Sequence, residues 1–155
     1  MHNRMVLNIL HQALEMIYTN TLRGEEGGTY GAVTYYDLAT HPMGQYTLRV
    51  EFETNNRQAD TMLEKAKQGL RDVAENGISQ EMFDKIVAYM TKRHNDLTRE
   101  NAYWLEVIQN RIEHGDDDYS HYFDDLHAVT RADIQRCARL VVNAPTKIEL
   151  MMKGQ

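Results

Sequence analysis

The sequence predicts an α+β fold: an antiparallel sheet with long helices packed on one face. Three observations carry that reading. Apolar residues recur at three- and four-residue steps over most of the chain. One short stretch, residues 45–53, instead alternates strictly between apolar and polar side chains. The helical patterns flank a single pair of adjacent strand patterns, which suits helices layered on a hairpin-built sheet.

The first helix is expected over residues 6–22. Val6, Ile9, Leu10, Ala13, Leu14, Ile17 and Tyr18 line one face. Arg23 follows where a cation suits the carbonyl end, and Gly24 suits the C-cap. Residues 29–39 are rich in β-branched and aromatic side chains. In residues 45–53, Tyr46, Leu48, Val50 and Phe52 point one way, while Thr47, Arg49, Glu51 and Glu53 point the other. The turn HPMG at 41–44 joins the two as an antiparallel hairpin.

Helical spacing returns at 57–75 and stops at Asn76-Gly77. Ser79 caps a long helical pattern, and no proline or glycine interrupts it up to Glu113. That pattern reaches about 50 Å at 1.5 Å per residue unless it bends near Asn101. Trp104 falls on its apolar face and reads as core. A short helix follows at 119–127. Thr130 and Asp133 form a capping pattern for another to about Leu140. Residues 147–152 read as a last strand. Three strands against long helices make a thin sheet with open edges. Residues 1–155 therefore read as one truncated domain, or as one whose open sheet edge pairs with a second copy in a homodimer.

Composition narrows the function. The chain has 155 residues, 42% hydrophobic and 26% charged, with a formal net charge of -6. No stretch gathers the cations that phosphate neutralisation needs, which argues against nucleic acid as a partner. No apolar run approaches the roughly 20 residues that span a bilayer. The single cysteine, Cys137, excludes an intrachain disulfide and sits among Ile134, Ala138 and Val141 as packing. Seven histidines are present, but neither HExxH nor HxxEH occurs. His11 has Glu15 one turn later and no second histidine. His114, Asp116, Asp117, Asp118 and His121 read as a solvated acidic loop rather than a metal site. No GxSxG and no phosphate loop is present.

The remaining candidate is the stretch 22–33, LRGEEGGTYGAV. Arg23 and Tyr30 flank a glycine-rich bend. A guanidinium and a phenol together can clamp a peptide carbonyl or a developing oxyanion. On the residues alone, a helix-end arginine and a strand tyrosine with no shared task remains the preferred reading.

LRGEEGGTYGAV, the strands and Pro-x-Gly turn after it, NGISQEMFDKI, LTRENAYWLEVIQN and VTRADIQRCARLVVN together resemble the insulinase/pitrilysin-type zinc peptidases, in their C-terminal half. The similarity covers nearly the whole chain. It implies a clamshell enzyme whose N-terminal half carries the zinc motif. Its C-terminal half lacks that motif and supplies an arginine and a tyrosine to the substrate. Carried onto this sequence, these are Arg23, as substrate clamp, and Tyr30, as support for the oxyanion. Gly24 departs from the glutamate that often follows the arginine. The family domain begins with strands and a helix not present before Met1, in keeping with truncation.

The resemblance further implies a peptide substrate, zinc held in the N-terminal half of a parent enzyme and none in this chain, and no activity for this chain alone. The alternative is a non-catalytic structural or peptide-binding subunit that partners a separate zinc-bearing chain. The exported bacterial relatives suggest the periplasm or envelope.

Overall fold

A computed structural model describes residues 2–24, 32–39, 44–115, 117 and 119–152, without the side chains of residues 23 and 24. The elements are α1 (His2–Tyr18), a wide π-helical turn (Thr19–Gly24), β1 (Ala32–Ala39), β2 (Gln45–Phe52), α2 (Ala59–Asn76), α3 (Gln80–Leu97), α4 (Asn101–His114), α5 (Tyr122–Ala128) and α6 (Arg131–Val142).

Everything is built around α1. Its apolar residues cover more than one stripe, so β1, α2, α3, α5 and α6 can all pack on it. Ile9, Leu10, Ala13 and Leu14 are wholly buried. Each of the larger side chains contributes about 1.5–3 kcal/mol by leaving water. Tyr18 reaches across to α2, where its hydroxyl donates to Ala66 O at 2.8 Å. Gly69 permits that approach: a Cβ there would lie 2.9 Å from the Tyr18 ring.

The helix ends are made by the expected residues. Ser79 Oγ accepts from the Met82 N–H at 3.1 Å. Thr130 and Asp133 form a reciprocal capping box. Gly77 adopts φ 73°, which ends α2 at little steric cost. The exposed carbonyls of that helix end then receive α6. Arg139 Nε donates to Ala74 O at 2.8 Å and Gln135 Nε2 to Glu75 O at 2.7 Å. The long helical pattern does not run through as one helix: it is broken just before Asn101, the position left open for a bend. The Thr98 hydroxyl bonds back to Asn95 O, and Glu100 is extended, separating α3 from α4.

β1 and β2 are antiparallel, with Tyr35 opposite Arg49 and Thr34 opposite Val50. The expected alternation holds from Leu48 on: Leu48, Val50 and Phe52 are half-buried beneath the sheet, while Thr47, Arg49 and Glu51 are exposed above it; Tyr46, near the strand's start, is exposed. The turn residues 40–43 lie outside the described residues.

Two expectations are corrected. Residues 147–152 form no strand, so the sheet has two strands among the described residues. Ile148, Leu150 and Met152 are each more than 80% exposed. Their alternation is that of a strand, but a strand requires a neighbour to receive its backbone groups. Trp104 is not core. No residue of α4 is buried, and Trp104 rests half-buried with its Nε1–H on Thr98 O at 2.9 Å. No helix among the described residues is long and apolar enough to cross a membrane.

Candidate functional site

The start of β1 is fastened to α1 by a partly buried polar cluster. Thr34, only 2% exposed, faces down onto the helix. Its backbone N–H donates to Glu15 Oε1 at 2.7 Å and its hydroxyl donates to the same oxygen at 3.1 Å. His11 Nδ1 lies 2.5 Å from the Thr34 hydroxyl oxygen. A hydroxyl has one proton, and the carboxylate is the stronger acceptor, so His11 Nδ1–H is assigned as the donor to Thr34. Burial pushes the imidazole below its ordinary value, and the neighbouring Glu15 charge only partly offsets this.

The spacing of His11 and Glu15 puts both on one helical face, which is why they can meet a single strand residue. Sequence reading weighed this pair only as an incomplete metal site. The available signal was a histidine and a glutamate one turn apart within an apolar stripe. Their partner, Thr34, lies 19 residues beyond Glu15.

This anchor fixes which strand face is buried. Thr34, Tyr36 and Leu38 face α1, and Val33 and Tyr35 therefore point away from the helices. They are 47% and 44% exposed. Across the register, the Arg49 guanidinium lies over the Tyr35 ring at 4.5 Å from its centroid, and Arg49 Nε meets Glu51 at 2.8 Å. The upper sheet face is thus a bare surface with an aliphatic side chain, an aromatic ring and a compensated cation.

The two residues singled out by the sequence lie just before this strand. Arg23 belongs to the wide turn Thr19–Gly24, where the Thr21 hydroxyl donates to Ile17 O at 3.0 Å. Its side chain, and Tyr30 with the rest of residues 25–31, lie outside the described residues. Leu22 and Ala32, on either side of that segment, are both buried in the same core.

The other candidates have structural roles. Burial pushes the Cys137 thiol up to about 11, which leaves it protonated and unreactive at neutral pH. Asp117 accepts from the Ser120 N–H at 2.9 Å, and its partners Asp116 and Asp118 lie outside the described residues. Among the described residues no three His, Cys, Asp or Glu side chains converge as a metal site would need. His11 and Glu15 supply two donors that Thr34 already engages, so they do not fit a zinc ion.

A sequence profile described as the peptidase M16 inactive domain matches residues 2–90. No curated protein matches the sequence. Among solved structures, the periplasmic protease PqqL from Escherichia coli is similar with a TM-score of 0.74 and 15% identity, over 90% of this chain and 16% of its own. A protease from Helicobacter pylori gives a TM-score of 0.76 at 13% identity, over 90% of this chain and 34% of its own. The ferredoxin protease FusC, solved as a mutant with Arabidopsis ferredoxin, gives 0.68 at 16% identity, over 88% and 15%. At such identities the likeness is one of fold. The chain spans between 15% and 34% of these structures.

Proposed function

Because this chain belongs to the peptidase M16 inactive-domain family, we propose that it is the substrate-gripping part of a zinc-dependent metalloendopeptidase, with the zinc held by another half of that enzyme. The observation that supports this most is the sheet: one face is fastened to α1 through Thr34, and the other is bare and presents Val33 and Tyr35. In the sequence, β1 follows immediately after the segment that carries Arg23 and Tyr30.

On this reading an extended polypeptide lies against the sheet. Arg23 donates to a substrate backbone carbonyl or orients Tyr30, and Tyr30 donates its O–H to the oxyanion that forms at the scissile carbonyl. The catalytic metal would supply the nucleophile from the partner half, and the described residues bring together no ligand set for it. FusC, whose structure holds a ferredoxin, is a protease of this fold that engages a protein, and a polypeptide is the substrate proposed here. The chain alone is inactive.

Replacing Tyr30→Phe in the zinc-bearing enzyme tests the assignment. Loss of one oxyanion donor should lower kcat by about 10²–10³ with little change in KM; an unchanged kcat overturns the role. An HxxEH sequence in the same polypeptide makes this chain part of one enzyme. Its presence only on a separate partner makes this chain a non-catalytic binding subunit.

A further inference from the structure

A second site lies on the opposite side of the sheet. Where Tyr35 points to the bare face, the next residue, Tyr36, points down into a cleft of about 250 Å³ between α1, α3 and α4. Its polar lining is rich in donors. Arg4 enters from α1, Arg93 from α3, Tyr103 from α4 and Tyr122 from α5. These groups converge. The guanidinium groups of both Arg4 and Arg93 act on the Tyr36 phenol, and Arg93, Tyr103 and Tyr36 all act on the Tyr122 phenol. Burial pushes both phenols up, Tyr122 to about 12, so they stand as O–H donors at neutral pH.

Some of these donors are spent internally. The Tyr122 hydroxyl approaches Met90 O at 3.5 Å, and its ring stacks on His94 at 3.6 Å between centroids. The Tyr36 hydroxyl and the Arg93 guanidinium, by contrast, have no hydrogen-bond or ion-pair partner among the described residues. One carboxylate, Glu106, also lines the cleft, and it is exposed. The rest of the wall is mixed: Asn8, Gln12 and Asn110 are polar, and Met90, Leu97 and Val107 supply an apolar part.

We propose that this cleft binds a small organic oxyanion, a carboxylate or phosphate attached to a compact apolar or aromatic group. The anion would accept from Arg93 and the Tyr36 hydroxyl, and the apolar part would lie against the methionine and leucine side chains. The planar fork of Arg93 suits two oxygens of one anion. The volume is below that of drug-sized pockets, so the ligand is about as large as one aromatic amino acid. The site is separate from the bare sheet face and does not depend on the peptidase reading.

Calorimetric titration of the full chain with benzoate, phenyl phosphate and neutral benzamide tests this. Both anions, or one of them, should bind about tenfold or more tightly than benzamide, and the stronger of the two identifies which oxyanion is preferred. Arg93→Ala and Tyr36→Phe should each weaken anion binding by about tenfold. Arg93 is exposed, so its variant should keep the parent circular dichroism even if the Tyr36 variant is destabilised. Benzamide binding as well as the anions, no binding of either anion, or an Arg93→Ala chain with unchanged affinity would each overturn the proposal.

Discussion

Glu15 Oε1 accepts two hydrogen bonds from Thr34, at 2.7 Å from the backbone N–H and 3.1 Å from the hydroxyl. One carboxylate oxygen thus satisfies an inward polar residue near the start of β1 and leaves its outward neighbours, Val33 and Tyr35, on the bare face. Thr34→Val keeps the shape and removes the hydroxyl. His11 Nδ1 then loses its partner in a half-buried place, at a cost of about 1 kcal/mol. Urea denaturation should show a lower midpoint with an unchanged slope. Equal stability of the two proteins would show that water replaces the lost bond.

The helices were legible because their signals are local. Ser79 bonds Met82, and Thr130 pairs with Asp133, each within one turn of its own helix. The alternation of β2 was equally legible, since Leu48, Val50 and Phe52 turn to the half-buried face by a rule of period two. Residues 147–152 carry the same alternation and form no strand, because sequence period sets a face but cannot supply a partner. The Thr34 anchor was hidden for a related reason: His11 and Glu15 share α1, but Thr34 comes from a strand that meets that helix only after the chain folds. Arg23 and Tyr30 owe their selection to a family resemblance rather than to their spacing, which by itself described any helix end followed by a strand.

Gly69 separates propensity from packing. In an exposed helix interior, Gly→Ala stabilises by about 1 kcal/mol. Here the added methyl would lie 2.9 Å from Tyr18 Cε1 and 3.4 Å from Ile17 Cγ2. The Tyr18 ring is held by its bond to Ala66 O and is 1% exposed. It cannot step aside without loosening the contact between α1 and α2. Gly69→Ala should therefore destabilise by about 1–3 kcal/mol, net of the propensity gain. Thermal unfolding reads the sign directly, and a raised Tm would mean that the interface has slack.

Stability should fall on mild acidification. Burial holds His11 and His94 below the ordinary histidine value. As pH drops through about 6.5 the unfolded chain takes up protons before the folded one does. The unfolded state then binds more protons, so folding weakens progressively, from a plateau at neutral pH until the folded-state values are passed. His94→Phe keeps a ring against Tyr122, which stacks at 3.6 Å, and removes one titrating group. Its urea midpoint should change less between neutral pH and pH of about 5.5 than that of the parent. A parent chain that gains stability over this interval would contradict the sign.

Metal content distinguishes this chain from a zinc-bearing half. His11 and Glu15 are committed to Thr34, and the described residues offer no third donor beside them. After dialysis against zinc, elemental analysis should find no stoichiometric metal, and chelator should leave the unfolding curve in place. One tightly held zinc per chain would require a ligand set that includes residues outside those described, and would remove the division of labour proposed for the enzyme.

Tyr35 and Arg49 test the bare face as a binding surface apart from the chemistry. Tyr35 is 44% exposed, and the Arg49 guanidinium 4.5 Å from its ring centre is itself exposed. Truncating either residue removes little buried area, so the fold should keep its unfolding midpoint. A peptide lying along the face would lose contact in the ground state and the transition state alike. Tyr35→Ala in the zinc-bearing enzyme should therefore raise KM several-fold at nearly constant kcat, the signature of lost uniform binding. Arg49→Ala should act in the same direction but less, because Glu51 already compensates its charge. The pattern is the reverse of that expected for Tyr30→Phe. Steady-state rates with one peptide across the three variants separate contact along the face from support of the oxyanion. If Tyr35→Ala leaves both constants untouched, the polypeptide does not run over this sheet.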